Sequence, residues 1–386
     1  MAPFYDGIAD LKGNIIMKKL GFGLMRLPVK ENADNSTIDI DRLYGLVDEF
    51  IAEGFTYFDT AMPYHSGASE AAFREAVVKR YPRDAYTVTD KLSLFKIDKK
   101  EDIPAFFDKQ LQDLGVDCID IYLLHAVDEE IYAQALEWDA IEFMKQKKRD
   151  GKVKHIGFSF HDSPEVLDKV LTEHPEFEYV QLQINYLDWE DKAVQSRSCL
   201  AVAIKHGKPV IVMEPIKGGS LVNISDNIKN YLQNGDKSHS VASWAIRFAA
   251  SQKNVVMVLS GMSNEEQLRD NISYMKDFLP LSEEQTERAL RAGDMIRAEI
   301  KIPCTGCRYC VDTCPSKIAI PDYFNLYNNY MRFMGTQKWR LTEGARELSK
   351  KFGLPKDCVG CGACEGLCPQ NIDIRAAISE VAKALE

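Results

Sequence analysis

The chain has 386 residues, of which 45% are hydrophobic and 27% charged, and 48 Lys and Arg residues against 58 Asp and Glu residues give a net charge of -10. This length allows a large domain with a small one, and the hydrophobic content excludes a disordered or collagen-like chain. An acidic chain without a basic block does not fit a phosphate-backbone binder, so we expect no nucleic-acid partner. No apolar stretch reaches the ~18 residues of a membrane span and no signal-peptide pattern opens the chain, so we expect a cytoplasmic protein without membrane contact.

Short apolar runs alternate with amphipathic stretches over most of the chain. The candidate strands are Lys19–Gly21, Tyr57–Asp59, Tyr86–Thr89, Ile119–Leu124, Lys154–Ser159, Tyr179–Gln183, Val210–Met213 and Val255–Leu259. The candidate helices are Asp41–Glu53, Ser69–Arg80, Ile103–Leu114, Ala135–Asp150, Pro164–Glu173, Ala193–His206, Ser240–Ala250 and Asn264–Tyr274. Units of this kind, repeated eight times, fit an α/β fold of the (β/α)8 TIM barrel type better than an open sheet. We therefore predict a barrel domain over residues 1–300.

Two helix starts carry specific signals. Ser163 precedes Pro164, which places a capping residue before a proline at the first helical position. The sequence Ser282-Glu283-Glu284-Gln285 is a capping box, and it predicts a further helix over Ser282–Arg297.

Eight of the ten cysteines lie in two runs of the form C-x2-C-x2-C-x3-C-P. Three thiolates at this spacing can hold three corners of one [4Fe-4S] cluster, and in two-cluster ferredoxins the fourth cysteine binds the other cluster. We predict one cluster held by Cys304, Cys307, Cys310 and Cys368, and a second held by Cys358, Cys361, Cys364 and Cys314. Structural zinc and disulfides are the alternatives, and disulfides would need an oxidising compartment.

The cysteine runs define a small, mainly helical, ferredoxin-like iron-sulfur domain over residues 301–386. Aromatic residues recur at helical spacing between Pro321 and Met331, which predicts a packed helix rather than a stacking platform. A second helix is predicted over Thr342–Phe352, with Thr342 as its cap. Cys118 and Cys199 lack a ligand pattern and are expected to be packing residues.

Reactive side chains follow the predicted strands. In a TIM barrel the catalytic residues stand at the C-terminal ends of the strands. Those ends carry Asp59, Lys91, His125, Ser159, Gln181 and Met213, and Tyr64 lies in the loop after Asp59. Taken singly, Asp59 could be a helix cap, Lys91 a surface charge and His125 a core histidine. Taken together, they indicate a catalytic site.

Asp59, Tyr64, Lys91 and His125, in this order and at these strand ends, resemble the catalytic tetrad of the aldo-keto reductase superfamily. Gly157-Phe158-Ser159 and Gly261-Met262-Ser263-Asn264 extend the resemblance, and the double cysteine run is similar to the subgroup with a fused two-cluster module. The resemblance implies NADP- or NAD-dependent conversion between a small carbonyl and an alcohol. The resemblance implies that Tyr64 is the general acid and that Lys91 eases release of the Tyr64 proton. It also implies that Asp59 holds Lys91 and that His125 orients the substrate oxygen.

The same resemblance implies a cofactor site along the barrel mouth. The residues expected to contact the cofactor are Gly23, Met25, Asp59, Ser159, Gln181, Met213, Pro215, Lys217, Gly219, Gly261, Ser263, Gln267 and Asn271, with Asn185 in support. Lys217 is expected to bring positive charge to the pyrophosphate.

Three departures from the family pattern bear on this site. Met213 and Glu214 stand where many members stack an aromatic ring on the nicotinamide. Gly261 and Gln267 replace the clamp for a 2′-phosphate, although Arg269 could substitute, so neither NADP nor NAD is preferred. His161 follows Ser159-Phe160 and is read either as a pocket residue or as a surface residue.

The joining of a hydride site to iron-sulfur clusters leaves several functions open. Our leading hypothesis is an oxidoreductase whose two clusters exchange electrons with the active site or with a partner such as a ferredoxin. Because hydride carries two electrons and each cluster carries one, a flavin is a candidate third cofactor. The alternatives are a plain carbonyl reductase with structural or oxygen-sensing clusters, and a binding module that responds to nucleotide or redox state.

Overall fold

The chain forms two units in a computed structural model that describes residues 18–30, 36–191, 194–234, 238–304, 306, 308–332, 338–368, 370 and 372–386. One unit consists of residues 1–222 and 232–290, and the other of residues 223–231 and 291–386. The second unit therefore includes a segment from the middle of the chain, which no sequence pattern indicated. The domain limits 1–300 and 301–386 stay predictions.

Eight parallel strands close into a barrel in chain order, which confirms the predicted (β/α)8 fold. The strands are β1 (Leu20–Gly23), β2 (Tyr57–Asp59), β3 (Thr87–Leu92), β4 (Ile119–Val127), β5 (Val153–Phe160), β6 (Tyr179–Gln183), β7 (Val210–Met213) and β8 (Val255–Ser260). β1, β3, β4, β5 and β8 each run further toward their C-terminal ends than predicted. Those extra residues lie at the barrel mouth.

Large side chains fill the barrel interior. Tyr57 and Tyr179 are buried there together with Ile121, Leu123, Ile211 and Met257. Glycines on neighbouring strands allow this packing: a Cβ on Gly157 would collide with the Tyr179 carbonyl oxygen of the adjacent strand, and one on Gly21 would lie 2.9 Å from the Tyr57 ring. The interior is thus a packed core, and the site must lie at its open end.

Helices alternate with the strands along the chain, and two of them, over residues 226–233 and 283–299, fall partly in the second unit. The helices are α1 (Ile40–Ala52), α2 (Ser69–Phe73), α3 (Ile103–Leu114), α4 (Glu129–Glu137), α5 (Ala140–Arg149), α6 (Pro164–Glu173), α7 (Ser196–Lys205), α8 (Asp226–Gln233), α9 (Val241–Ala250), α10 (Glu265–Met275) and α11 (Glu283–Glu299). Both predicted helix starts are confirmed: Ser163 Oγ accepts from the Val166 amide, and Ser282 and Gln285 bond reciprocally. Ala193, the predicted start of one helix, lies outside the described residues.

The prediction of one helix over Ala135–Asp150 is wrong. The structure has two helices there, α4 and α5, because Asp139 adopts a left-handed conformation with φ of 50°. A left-handed residue ends the α-helical ladder. α4 also begins before Ala135, where the Asp128 carboxylate accepts from the Ile131 amide.

The second unit has its own apolar core. Its further helices are α12 (Tyr309–Asp312), α13 (Ile320–Arg332), α14 (Lys338–Ser349) and α15 (Ile374–Leu385). Tyr323, Phe324 and Ile378 are buried between them. The aromatic helix is confirmed as α13, whereas Thr342 does not cap a helix: it lies inside α14 and its hydroxyl donates to the Trp339 carbonyl. Among the described helices, none is long and apolar enough to cross a membrane.

Candidate active site

Lys91 lies at the centre of the predicted tetrad, near the end of β3, and is fully buried. Its Nζ donates to Asp59 Oδ1 at 2.5 Å, to the Thr60 carbonyl at 2.8 Å and to the Tyr64 hydroxyl at 3.2 Å. Burial alone would lower the pKa of Lys91, but the charge of Asp59, together with Tyr64 and the hydrogen bonds to both residues, outweighs burial and raises the pKa. Lys91 therefore remains a cation inside the barrel mouth.

The hydrogen bonds of Lys91 fix the direction of the Tyr64 proton. An ammonium group has three donors and no acceptor, so the phenol oxygen must be the acceptor of the bond from Lys91. The Tyr64 O–H is left to point elsewhere. Burial raises the pKa of Tyr64, and the opposing effect of Lys91 does not overcome it. Tyr64 is thus protonated at neutral pH, as a general acid must be.

His125 lies beside Tyr64 as a neutral imidazole. The two rings meet edge to face with centroids 6.1 Å apart. Burial, and then the charge of Lys91, lower the pKa of His125 to about 2. Its Nδ1 bonds to the Ser93 hydroxyl at 2.6 Å, so Nε2 is the nitrogen available to a ligand. The structure thus brings all four predicted catalytic residues together.

Asp90 precedes Lys91 and faces the opposite side of β3, as strand alternation requires. It lies with Glu70 in a fully buried carboxyl pair, and Gln110 donates to both carboxyl groups at 2.9 and 3.2 Å. Burial raises the pKa of both carboxyls; the charge of Glu70 raises the pKa of Asp90 further, whereas the hydrogen bond between them lowers that of Glu70. The pair retains a proton and joins β3 to α2 and α3 behind Lys91.

Several predicted cofactor residues are bonded to protein groups. Gln181 donates to Asp59 Oδ2 at 2.9 Å, and Ser159 Oγ accepts from the Ala126 amide at 2.7 Å. Asn271 donates to Ser260 at 2.7 Å. Gly23, Met25, Met213, Pro215 and Gly219 also lie at the C-terminal ends of β1 and β7 or in the loops after them. These residues line one rim of the barrel mouth.

The predicted adenosine-end residues are engaged in local bonds. Gln267 Oε1 accepts from the Ser263 amide at 2.8 Å, and Ser263 Oγ donates to the Arg26 carbonyl at 2.8 Å. Arg269, the expected substitute for a 2′-phosphate clamp, is bonded to both carboxylate oxygens of Glu49. The cation of Arg269 is therefore already paired.

His161 follows β5, and its side chain is accessible to solvent. Burial of the ring by neighbouring groups nevertheless lowers the pKa of His161. The charge of His161 in turn contributes to the lowered pKa of His125. His161 also lines a cavity with Phe160, Leu182 and Gln183, so the surface and pocket interpretations both describe part of what is seen.

The sequence prediction missed Ser93, Asp188 and Arg26. Ser93 holds His125, and Asp188 pairs with Lys217 at 2.6 Å. Arg26 lies three residues after the end of β1, which the sequence prediction placed at Gly21. A rule that examines every residue just beyond a strand would have found Ser93 and Arg26, had β3 and β1 been given their full lengths.

Comparison with known proteins identifies the barrel. Residues 19–292 match the model of the aldo/keto reductase family. The chain belongs to this family. The chain is 22% identical to the NADH-specific methylglyoxal reductase of Escherichia coli, and the match covers 57% of the chain and 78% of that protein. It is 26% identical to the aldo-keto reductase str7 of Strobilurus tenacellus, over 54% of its own length and 61% of that protein.

Solved structures agree on the fold. An aldo-keto reductase of Bacillus halodurans in its holo form superposes with a TM-score of 0.59 at 20% identity, over 74% of the reductase and 94% of that chain. An aldo-keto reductase of Klebsiella pneumoniae in complex with NADPH gives a TM-score of 0.57 at 20% identity, over 71% and 90%. At this identity the likeness establishes the barrel fold.

The cysteines of the reductase's second unit line two cavities. One, with an empty space of about 320 Å³, is lined by Cys304, Cys310 and Cys368. The other, of about 370 Å³, is lined by Cys314, Cys358, Cys361 and Cys364. Each cavity contains a cysteine from the other run, so this donor set fits two cubane clusters held in the predicted way. Cys307 lies outside the described residues.

The two cysteine runs have left-handed backbone at two matching described positions. Gly306 and Gly360 occupy the same place in their runs, with φ of 74° and 70°. Two residues later, Arg308 and Gly362 have φ of 68° and 76°. Left-handed residues allow the chain to turn tightly between cysteines, and residues 303–372 match the model of the 4Fe-4S dicluster domain.

Proposed function

We propose that the chain is an NAD(P)H-dependent carbonyl reductase in which Tyr64 is the proton donor. The observation that carries the proposal is the set of three bonds from Lys91, which leaves the Tyr64 O–H free to meet a substrate oxygen. The loops after β7 and β8 provide glycine-lined backbone for a dinucleotide, since Gly218 and Gly219 have positive φ and no side chain. The NADPH complex of the Klebsiella relative supports the same cofactor class.

The nicotinamide cofactor, when bound, supplies the hydride that reduces the carbonyl carbon. Tyr64 gives its proton to the carbonyl oxygen, so the products are an alcohol and the oxidised cofactor. Lys91 stabilises the phenolate left on Tyr64, and Asp59 keeps Lys91 charged and in place. His125, which stays neutral, donates from Nε2 to the substrate oxygen when Ser93 donates to Nδ1. Ser159 and Gln181 are positioned to orient the nicotinamide.

A small carbonyl compound is the proposed substrate. The methylglyoxal reductase of Escherichia coli supports this class, and methylglyoxal is therefore the first probe. Both NADH and NADPH need testing, because Arg269 is held by Glu49 and Gln267 by Ser263. Neither group stands unpaired to select a 2′-phosphate.

Tyr64→Phe tests the proposal. Removing the proton donor is expected to lower kcat/KM for methylglyoxal about 10²- to 10⁴-fold, because general acid catalysis typically contributes that much. Cofactor binding, measured by quenching of nucleotide fluorescence, should not change. Tyr44→Phe removes the same oxygen from a partly buried tyrosine of α1 and should leave turnover intact. Activity of Tyr64→Phe within tenfold of the parent would overturn the assignment.

The second part of the proposed function concerns residues 303–372. Two [4Fe-4S] clusters there, one held by Cys304, Cys307, Cys310 and Cys368 and the other by Cys358, Cys361, Cys364 and Cys314, would exchange single electrons with the reductase site or with a carrier protein of the ferredoxin type. The two cysteine-lined cavities support the clusters. A flavin would provide the step between one and two electrons, so flavin content belongs in the test of this coupling.

A further inference from the structure

We propose that Arg375 gives the second cluster site a higher reduction potential than the first, so that an electron comes to rest at the site that faces solvent. The first site is the cavity that Cys304 and Cys310 line, and the second is the cavity that Cys358 and Cys361 line. The inference rests on the proposed function, because it distinguishes the two [4Fe-4S] clusters which that function requires.

The potential of a cluster depends on the charge and the exposure of its site. A cubane cluster held by thiolates is an anion, and reduction adds one electron to it without forming or breaking a bond. Nearby positive charge and solvent both stabilise the added negative charge, so each raises the reduction potential. An apolar, enclosed site has the opposite effect, because it stabilises the extra charge poorly.

The second site has a guanidinium in its wall. Arg375, in the first turn of α15, lines this cavity together with Gly362, which lies between Cys361 and Cys364. A Cβ on Gly362 would lie 3.8 Å from both Nε and Cζ of Arg375, so the guanidinium packs against the backbone of the cysteine run. Glu365 Oε2 accepts from Arg375 Nε at 3.0 Å and holds the guanidinium there. The cation thus lies beside the turn that carries two of the predicted ligands.

The first site has an apolar wall. Apart from its cysteines and Gln370, it is lined by apolar side chains such as Pro321. No charged side chain among the described residues lines it. Pro321 follows Cys314 by seven residues, and Arg375 follows Cys368 by seven. The two runs therefore bring a proline and an arginine to corresponding places, one in each cavity.

The cysteines of the two sites also differ in exposure. Cys358 and Cys361 of the second site are exposed, and Cys364 is buried. At the first site Cys310 is buried as well, and none of the described cysteines there is exposed. Solvent therefore acts in the same direction as the cation. An electron shared by the two clusters comes to rest at the second site, where a carrier protein can reach it and be reduced by it.

The experiment is a redox titration of the full-length, cluster-loaded protein without oxygen, with dithionite as reductant and electron paramagnetic resonance as the readout. We expect two reduction steps. Arg375→Gln should lower the equilibrium constant of the step at higher potential about tenfold, which is about 59 mV for one electron, and leave the other step in place. Arg375→Lys should retain most of the potential. Glu365→Gln should raise the same step, because it removes a negative charge beside the guanidinium.

A dysprosium chelate in solution identifies which site is reduced first. This paramagnetic probe speeds the relaxation of a cluster that it can approach, so a cluster that faces solvent responds more. The signal that appears at the higher potential should therefore respond more strongly than the signal that appears at the lower one. A weaker response of the cluster reduced first would assign the high potential to the enclosed site and overturn the proposal.

Arg308→Gln is the matched control. Arg308 is an exposed residue of the first cysteine run, is bonded to Asp322, and lines neither cavity. Its substitution removes the same charge and should leave the step at higher potential unchanged. An equal shift in Arg308→Gln, or no shift in Arg375→Gln at the parental content of iron and sulfide, would refute the role of Arg375.

The outcomes separate this inference from the proposed function. If iron and sulfide analysis finds no pair of clusters, the cluster part of that function fails and this inference fails with it. If both clusters are present but neither NADH nor NADPH reduces them, coupling to the reductase site fails, while dithionite still gives the order of the two potentials. If a nucleotide reduces the clusters and the two potentials are equal, only the inference about Arg375 is refuted.

Discussion

Lys91 keeps its charge in a fully buried position because its ammonium group meets three acceptors. The sequence predicted the acidic partner Asp59, since the family pattern contains it. It could not predict the Thr60 carbonyl, because any residue type supplies a backbone oxygen. That acceptor completes the three hydrogen bonds of Lys91, and the bond from Lys91 to the Tyr64 oxygen determines which way the Tyr64 proton points. The sequence therefore predicted that Asp59, Lys91 and Tyr64 act together, but only the structure shows the direction in which Tyr64 can donate its proton.

His125→Gln is expected to flatten the pH dependence of stability. The pKa of His125 is lowered to about 2 in the folded protein, against about 6.5 for an unfolded histidine. Between these values the unfolded state binds more protons, so the free energy of unfolding rises with pH, by at most about 1.4 kcal/mol per pH unit from this group. Glutamine has no such titration.

Urea unfolding followed by circular dichroism at several pH values between about 4 and 7 measures the difference. The parent should lose more stability on acidification than His125→Gln. Parallel curves for the two proteins would show that His125 has an ordinary pKa in the folded state and that its burial does not keep it neutral.

At the scale of single elements, the sequence prediction failed where strands carry function. β3 was expected to end at Thr89, but it continues through Asp90 and Lys91 to Leu92. Apolar periodicity cannot detect this end, because two charged residues follow one another there. Asp90 is accommodated by Glu70 and Gln110, and Lys91 by Asp59, and all these partners are distant in sequence. Because β3 and β1 were predicted too short, Ser93 and Arg26 were not recognised as residues that follow strand ends.

Helix starts were predicted best where a side chain bonds to the backbone. Ser163 and Ser282 act as expected because the signal lies within four neighbouring residues. The break between α4 and α5 depends on the left-handed Asp139, for which the sequence has neither Gly nor Pro as a marker. Thr342 has the chemistry of a cap, but it lies inside α14.

Ser282→Ala is expected to destabilise the protein by about 1 kcal/mol, the usual cost of a lost N-cap. The Ser282 hydroxyl accepts from the Gln285 amide and Gln285 bonds back, so the change breaks a reciprocal pair. Chemical denaturation monitored by far-ultraviolet circular dichroism measures the loss. Ser273→Ala, in the exposed face of α10, removes a hydroxyl that does not cap its helix and should cost less. Equal costs would contradict the capping role.

For the whole molecule, the repeat of eight strand-helix units was enough to predict the barrel. Each strand is buried on both faces, so continuous apolar runs mark it clearly. The cysteine spacing predicted the second unit equally well, because metal clusters restrict ligand spacing more tightly than packing restricts side chains. The inclusion of residues 223–231 in that unit depends on contacts distant in sequence, which no local pattern carries.

Coupling between the two units can be tested in one cuvette. If the clusters exchange electrons with the reductase site, NADH or NADPH should bleach their visible absorption in protein prepared without oxygen. Iron, sulfide and flavin are counted beforehand. Cys310→Ala should reduce the cluster content, whereas Cys118→Ala, outside both runs, should not. Clusters that dithionite reduces but neither nucleotide affects would contradict coupling and leave the carbonyl reductase intact.

The two cysteine runs of the second unit depend on each other for assembly of their cluster sites. Gly306 and Gly360 are left-handed, and so are Arg308 and Gly362, so the described parts of the two runs turn at matching places. Yet Cys368 lines the first cavity and Cys314 the second, so each copy completes its neighbour's site. With the predicted ligand sets, the loss of either run would leave one cluster site three thiolates short and the other one thiolate short. Each site therefore needs cysteines from both runs, and we expect the two clusters to assemble together or not at all.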